Sequence, residues 1–339
     1  MGFFRIRCLI AAAALLLPWS ALFPSGKVPD LKAMEDAASR FEQKSGNCAA
    51  VLVESQNCRI TFIHNRRVSL ERRFPPGSLM KPMSAALLAD SNPSLPSSSL
   101  ECRGHFVPED AFSLSDEKRF NLAHDPESGL RSFPCSVSTG HGSVTMRSAL
   151  IRSCNVFFLS AVHKTPDFFE RLVAVWKLDD PLLPGLAAQS SSIKDISPFQ
   201  KISASIGEGS GVLLSPLKIA QNYSALFEGT PLMEPYEAGN PSVRSDLPLK
   251  RESLDSVRSA LSATACEGTL AGLKIPAGCT FLGGKTGTST ALGDKSIHHG
   301  WNALWIECGG KRYVLVTFVL KGRGAKEACE FSSEILEAM

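Results

Sequence analysis

The chain reads as an α+β protein, an antiparallel sheet built from N- and C-terminal strands, flanked by helices and carrying a mostly helical insertion. Three observations predict this. Residues 49–54 and 59–65 are apolar and β-branched runs around a turn at Asn57, an opening hairpin. Residues 301–308 and 313–320, rich in Val, Ile and aromatics, flank Gly309-Gly310 and form a second hairpin near the other end. Helical patterns fill the space between, so one sheet joining both ends must wrap around them.

The elements follow in order. Residues 31–44 suit a helix before the first hairpin. Pro75-Pro76-Gly77 makes an abrupt turn that releases into an apolar helical pattern from Ser78, which places Ser78 at a helix start. Residues 91–99 hold five serines and two prolines, a loop, and irregular sequence continues to about His141. A helical pattern over 144–163 breaks near Ser153-Cys154-Asn155, and Thr165-Pro166 caps another helix through Trp176. A Pro, Gly and Ser-rich connection covers 179–198. Ser215-Pro216 then opens a helix that Gly229 closes, and a last helix runs from Ala325 to the end.

With 339 residues, 44% of them apolar and 20% charged, the chain can bury a sizeable core, which excludes global disorder. Its 36 Lys and Arg nearly balance 33 Asp and Glu, and no basic run interleaves with aromatics, so no nucleic-acid partner is expected. The apolar stretch 8–23 follows Arg5 and Arg7, the polarity of an export segment, which directs the rest of the chain out of the cytoplasm. No small-x-small cleavage site stands out around 19–25, which favours an uncleaved anchor over a signal peptide. The expected division is an anchor or signal peptide over 1–26, a linker and helix over 27–47, and a folded domain over 48–339.

Ten cysteines suit an oxidising compartment. Nine lie beyond the export segment, an odd number, and pairing of neighbours joins 48 with 58, 102 with 135, 266 with 279 and 308 with 329, leaving Cys154 alone. No C-x-x-C and no paired Cys/His motif occurs, so no structural metal and no cofactor are expected.

A serine hydroxyl needs something to take its proton, and a lysine three residues later on a helix lies on the same face within reach. Ser78 with Lys81, Ser115 with Lys118, Ser191 with Lys194 and Ser215 with Lys218 all match that spacing. Only the first couples a tight turn to an apolar helix that would bury the lysine and favour its neutral form; Ser215 is explained as a helix cap. Ser153-Cys154-Asn155 sits at a break between apolar helical segments, where a hydroxyl and an amide can face one cleft, whereas the S-x-N matches at Ser45 and Ser55 lie in polar turns. Lys285-Thr286-Gly287-Thr288 occurs before the terminal hairpin and reads as a strand where a substrate backbone can lie beside glycine, its carboxylate near Lys285 and Thr286. Taken singly, each has a plain structural reading as a helix start, a helix break or a Gly-rich turn.

In this order the three elements resemble those of penicillin-binding protein transpeptidases and β-lactamases, with S-x-x-K, S-x-N and K-T-G sets. The strings from Gly140 to Phe158, from Gly207 to Ala220, and Lys285-Thr-Gly-Thr look like the transpeptidase branch, and the likeness runs from about Cys48 to the end. The resemblance implies that Ser78 is acylated by D-Ala-D-Ala stem peptides of peptidoglycan, and by β-lactams. Lys81 takes its proton, Ser153 relays one to the leaving D-alanine, and Asn155 holds the substrate amide and Lys81. Lys285, Thr286 and Thr288 hold the carboxylate, and the N–H groups of Ser78 and Thr288 form the oxyanion hole. An amine, or water in a D,D-carboxypeptidase side reaction, then releases the acyl group. It also implies a protein outside the cytoplasm, held at the membrane by its N-terminus, and cell-wall synthesis partners to place its substrate.

The nearest rival is a β-lactamase or β-lactam sensor of the same fold, with Glu208 as the candidate water-activating base; another is a non-catalytic scaffold. The near match to a phosphate-binding loop from Gly278 to Thr286 fails by one residue, since five separate Gly278 from Gly284.

Overall fold

The computed structural model describes residues 29–109, 112–181 and 196–339. The export segment 8–23 and the Ser191/Lys194 match lie outside the described residues. Among the described residues no helix is long and apolar enough to cross a membrane.

Asp30 caps helix α1 (Leu31–Ser45) by accepting from the backbone N–H of Lys32 and Ala33. Met34, Ala37, Ala38 and Phe41, spaced three and four apart, form its buried stripe. That stripe meets the C-terminal helix Cys329–Glu337, where Phe41 stacks on Phe331 with ring centroids 4.6 Å apart. Between these helices and the insertion runs one antiparallel sheet of β1 (Cys48–Glu54), β2 (Arg59–His64), β3 (Cys279–Ala291), β4 (Asp294–Cys308) and β5 (Lys311–Val319), in the order β3-β4-β5-β1-β2. β1 pairs with β5 from Cys48↔Val319 to Glu54↔Tyr313, so the two ends of the chain do build one sheet.

Period-two alternation puts a core on each face. Val51, Val53, Val314, Val316 and Phe318 pack toward the insertion, and Ala50, Leu52, Leu304, Ile306 and Leu315 toward α1 and the C-terminal helix. Apart from Ala50, each such side chain contributes ~1.5–3 kcal/mol by leaving water. α2 (Met80–Ser91) is buried from Met80 to Ala89 and forms the axis of the insertion, as expected of a helix apolar all round.

Four expectations change. The stretch 91–141 is not wholly irregular: Ser99–Cys102 pairs with Gly142–Thr145, His105–Phe106 with Arg131–Pro134, and Leu114–Arg119 is helical. Strands of two to four residues are too short to show a period in sequence. β4 and β5 extend the predicted second hairpin, and the strand expected at 285–288 runs the full length of β3 beside them. The last helix begins at Cys329, after a π-helical turn over Gly324–Ala328.

The cysteine pairing also fails. Among the described residues one disulfide joins Cys279 to Cys308, and Cys48, Cys58, Cys102, Cys135, Cys154, Cys266 and Cys329 are free. Sheet register decides the partner, since Cys279 stands directly opposite Cys308 across β3 and β4. Closing that loop, with a sequence separation of 29, constrains the unfolded chain by ~3–4 kcal/mol.

Candidate active site

The Ser78 turn is pinned from several sides by backbone. Phe74 exchanges hydrogen bonds with Leu214 (3.0 and 2.9 Å), Gly77 N donates to Gly207 O (2.9 Å), Tyr223 Oη to Leu79 O (2.9 Å) and Trp301 Nε1 to Pro75 O (3.1 Å). Gly77 has φ +56°, and a Cβ there would lie 2.6 Å from Thr288 O. Only glycine lets the turn approach β3 this closely. Ser78 is half-buried in the 3₁₀ turn Gly77–Leu79 that leads into α2, and Lys81 is fully buried in the first turn of α2.

The second element lies between α3 (Met146–Ile151) and α4 (Asn155–His163). Ser153 breaks the helical path in the left-handed region at φ +59°, a conformation rare outside glycine and held here by its neighbours. Cys154 Sγ caps α4 by accepting from Phe157 N (3.5 Å). The break turns Ser153 and Asn155 toward Lys81, whose Nζ donates to Ser153 O (2.7 Å), Ser153 Oγ (3.2 Å) and Asn155 Oδ1 (2.7 Å) rather than to Ser78. Asn155 Nδ2 donates to Pro134 O (3.1 Å), which fixes the amide's orientation.

β3 supplies the third element from the open edge of the sheet. Lys285 is fully buried, and its Nζ donates to Ser153 Oγ (3.0 Å) and Thr286 O (3.0 Å). The hydroxyl of Ser153 is therefore shared by two amines. Gly287 packs against the Ser78 turn, where a Cβ would lie 2.8 Å from Pro76 O. The pleat turns Thr286 and Thr288 to the face opposite Lys285: Thr286 Oγ1 shares a hydrogen with Thr269 Oγ1 (2.5 Å), and Thr288 Oγ1 accepts from Gly324 N (3.0 Å). Each hydroxyl retains hydrogen-bonding capacity for a chain laid along the edge.

Burial sets the charge of this network. It lowers Lys81 to about 8, against the raising effect of Cys135, Cys154 and Glu208 nearby. It lowers Lys285 well below the usual lysine range, and the charge on Lys81 adds to that. Burial also raises Glu208 to about 7, while its Oε2 accepts from Thr290 N (3.2 Å). Two amines around one hydroxyl, at least one of them ready to be neutral near pH 8, can pass a proton through Ser153.

The structure thus brings Lys81, Ser153, Asn155 and Lys285 into one hydrogen-bonded network and sets Ser78 and residues 286–288 beside it. It leaves the other S-x-x-K matches among the described residues apart: Ser215 caps the helix Pro216–Glu228, with Lys218 Nζ on Gln221, and Ser115 lies in Leu114–Arg119. Sequence reasoning did not foresee Thr269, Pro134 and Gly324, which reach the site by tertiary packing alone.

The sequence holds no paired Cys/His motif, yet two such groups assemble in space. Cys102, Cys135, His141 and Cys154 bring their ligand atoms within 4.8 Å of one another, and Glu42, Cys48 and His64 form a second such group. In the second, His64 Nδ1 already engages Glu35 (3.0 Å).

Residues 114–337 match the family model for the penicillin binding protein transpeptidase domain. That span begins after Ser78 and Lys81, and contains Ser153, Asn155 and Lys285. A curated relative, the peptidoglycan D,D-transpeptidase FtsI homolog of Chlorokybus atmophyticus, is 27% identical over 175 residues, covering 48% of this chain and 23% of the relative. The chain therefore spans about a quarter of that relative's length. Among solved structures, the apo TP domain of Burkholderia pseudomallei penicillin-binding protein 3 superposes with TM-score 0.71 at 20% identity, covering 91% of each chain. A peptidoglycan glycosyltransferase from Burkholderia ambifaria gives TM-score 0.70 at 20% identity over 90% of this chain and 92% of its own. These likenesses show the fold.

Proposed function

The chain belongs to the penicillin-binding protein transpeptidase family, and on that premise we propose that it is a peptidoglycan D,D-transpeptidase that also binds β-lactams. The observation that carries the reading is the network in which Lys81 and Lys285 both donate to Ser153 Oγ while Lys81 holds Asn155.

In the proposed reaction Ser78 Oγ attacks the carbonyl between the two terminal D-alanines of a stem peptide, and its proton passes to Lys81. The developing oxyanion is held by the N–H groups of Ser78 and Thr288. The C–N bond breaks as the proton travels through Ser153 to the leaving amine, and D-alanine departs. Lys285, Thr286 and Thr288 hold the terminal carboxylate from the two sides of the open strand edge, and Asn155 orients the peptide amide. The acyl group then passes to an amine of a neighbouring strand, or to water when the protein acts as a carboxypeptidase. A β-lactam enters by the same first step. On this reading the domain works outside the cytoplasm, held by residues 1–26 and served by other cell-wall synthesis proteins; Arg5 and Arg7 ahead of the apolar stretch 8–23 support the anchor.

A hydrolase of the same fold needs a base poised over water. The candidate, Glu208, has its Oε2 engaged by Thr290 N of β3, which ties it to the strand and supports the transpeptidase reading.

The test is covalent labelling of the purified chain with a fluorescent penicillin. Wild type labels and Ser78→Ala does not, and the adduct persists for many minutes. Equal labelling of Ser78→Ala removes Ser78 as the nucleophile, and release within seconds reassigns the protein as a lactamase.

A further inference from the structure

A second cluster lies directly behind the Ser153 break. The strand ending at Cys102 and the turn after Pro134 are pressed together backbone on backbone. Cys135 N donates to Gly104 O at 2.7 Å. Gly104 and Gly140 both have positive φ (+95° and +83°), and a Cβ on Gly140 would lie 2.0 Å from Cys102 O. Two glycines are thus required to bring Cys102 beside Cys135 and His141. The α4 cap adds Cys154 from a third direction. Three of the four residues are buried and His141 is half-buried.

The distances within the cluster have a definite geometry. Cys135 Sγ lies 3.8 Å from Cys154 Sγ, and His141 Nδ1 lies 3.4 Å from Cys135 Sγ and 3.6 Å from Cys102 Sγ. A tetrahedral zinc ion, with Zn–S near ~2.3 Å and Zn–N near ~2.0 Å, sets its ligands about 3.8 Å apart for S···S and about 3.5 Å for S···N. The three distances match the edges of such a tetrahedron. Backbone N–H groups also point at the sulfurs, Asn155 N at Cys135 Sγ (3.3 Å) and Phe157 N at Cys154 Sγ (3.5 Å), the outer hydrogen bonds that orient a ligand.

We propose that Cys102, Cys135, Cys154 and His141 Nδ1 bind one zinc ion that braces the Ser153–Asn155 element. Three soft thiolates and an imidazole in a closed tetrahedral set are the ligands of a structural zinc site, with no position left for water. The ion ties Cys154, the residue between Ser153 and Asn155, to two segments of the insertion. It thereby holds the left-handed turn that presents Ser153 and Asn155 to Lys81. The metal assignment stands on the cluster alone, while the bracing role rests on the proposed function. Metal content is read without substrate, so the two fail separately.

The experiment uses the full chain, purified without chelator, with metals measured by plasma mass spectrometry. Wild type carries about one zinc per chain, and Cys102→Ser and His141→Ala each lose most of it while keeping the far-ultraviolet circular dichroism of the wild type. Should a variant fail to fold, wild-type protein exchanged with cobalt gives a second reading: intense visible bands of tetrahedral cobalt with thiolate charge transfer. Removing the zinc with chelator slows fluorescent-penicillin acylation ~10–100-fold, and added zinc restores it. A metal-free protein with rapidly alkylated thiols, a Cys135–Cys154 disulfide in the native chain, a different ion, or zinc retained in both variants overturns the site. Unchanged acylation after zinc removal overturns the bracing.

Discussion

Glutamine at position 208 tests whether the carboxyl beside Thr290 is held neutral in the folded protein. Burial raises Glu208 from 4.5 to about 7, whereas the unfolded chain returns it to ~4.3. Between these values the folded protein keeps a proton that the unfolded chain releases. Its contribution to stability is therefore fully present below the unfolded pKa and is lost as pH rises through the folded one. The distance from ~4.3 to about 7 bounds the effect at ~3–4 kcal/mol, and because the residue keeps some solvent contact, screening brings the expected value to ~1–2 kcal/mol. Glu208→Gln retains an acceptor for Thr290 N and has no proton to lose. Urea unfolding of both proteins at pH 4.5 and pH 8 should show the variant gaining ~1–2 kcal/mol on wild type across that window. Comparing the two proteins cancels other groups that titrate there, such as Lys218, lowered to about 7. A difference that stays flat with pH means that Glu208 is ionised in the folded state, and the argument from burial fails.

The remaining predictions concern the acylation step. With Lys81 lowered to about 8 and acting as the base, the second-order rate of penicillin labelling should climb roughly tenfold per pH unit well below 8 and level off above it; a rate constant from pH 6 to 9 removes Lys81 from that role. Gly77→Ala places a Cβ 2.6 Å from Thr288 O at a φ of +56°, so the turn must move away from β3, and labelling should fall by about 10²-fold while circular dichroism shows a folded chain. Labelling at the wild-type rate would show that the close contact of turn and strand is not needed.

How far the fold could be read from sequence followed the range of the forces involved. The terminal hairpins were legible because apolar runs and turn residues lie within a few positions of one another. The Ser78 helix start was legible for the same reason, a rigid Pro-Pro-Gly turn followed by an apolar helix. The full extent of the strand carrying Lys285 was harder, because Gly283, Gly284 and Gly287 lower its β-propensity while serving close packing: a Cβ on Gly284 would lie 2.9 Å from Leu270 Cδ1. Nothing local announces that Cys279 pairs with Cys308, since their adjacency comes from the register of two long strands.

The same distinction explains what was hidden at the site. Residue types at motif spacing identified Lys81, Ser153, Asn155 and Lys285 separately, yet their chemistry depends on burial, which only the assembled sheet and insertion provide. Lys285 loses its ordinary basicity because β3 packs against a helical insertion that begins some two hundred residues earlier in the chain, not because of any neighbour in sequence. Cys154 makes the point most directly. As a sequence feature it is the spacer of an S-x-N motif, and pairing by neighbours left it alone. In the folded chain its sulfur caps α4 and stands 3.8 Å from Cys135 Sγ, while its two flanking residues contact the buried lysines. A motif written in one dimension fixes which groups take part; the cluster behind it fixes where they point. Cys154→Ser keeps a cap for α4 but removes the sulfur from the cluster, so penicillin labelling should slow ~10-fold with both flanking residues intact; labelling at the wild-type rate would show that the cap alone orients them.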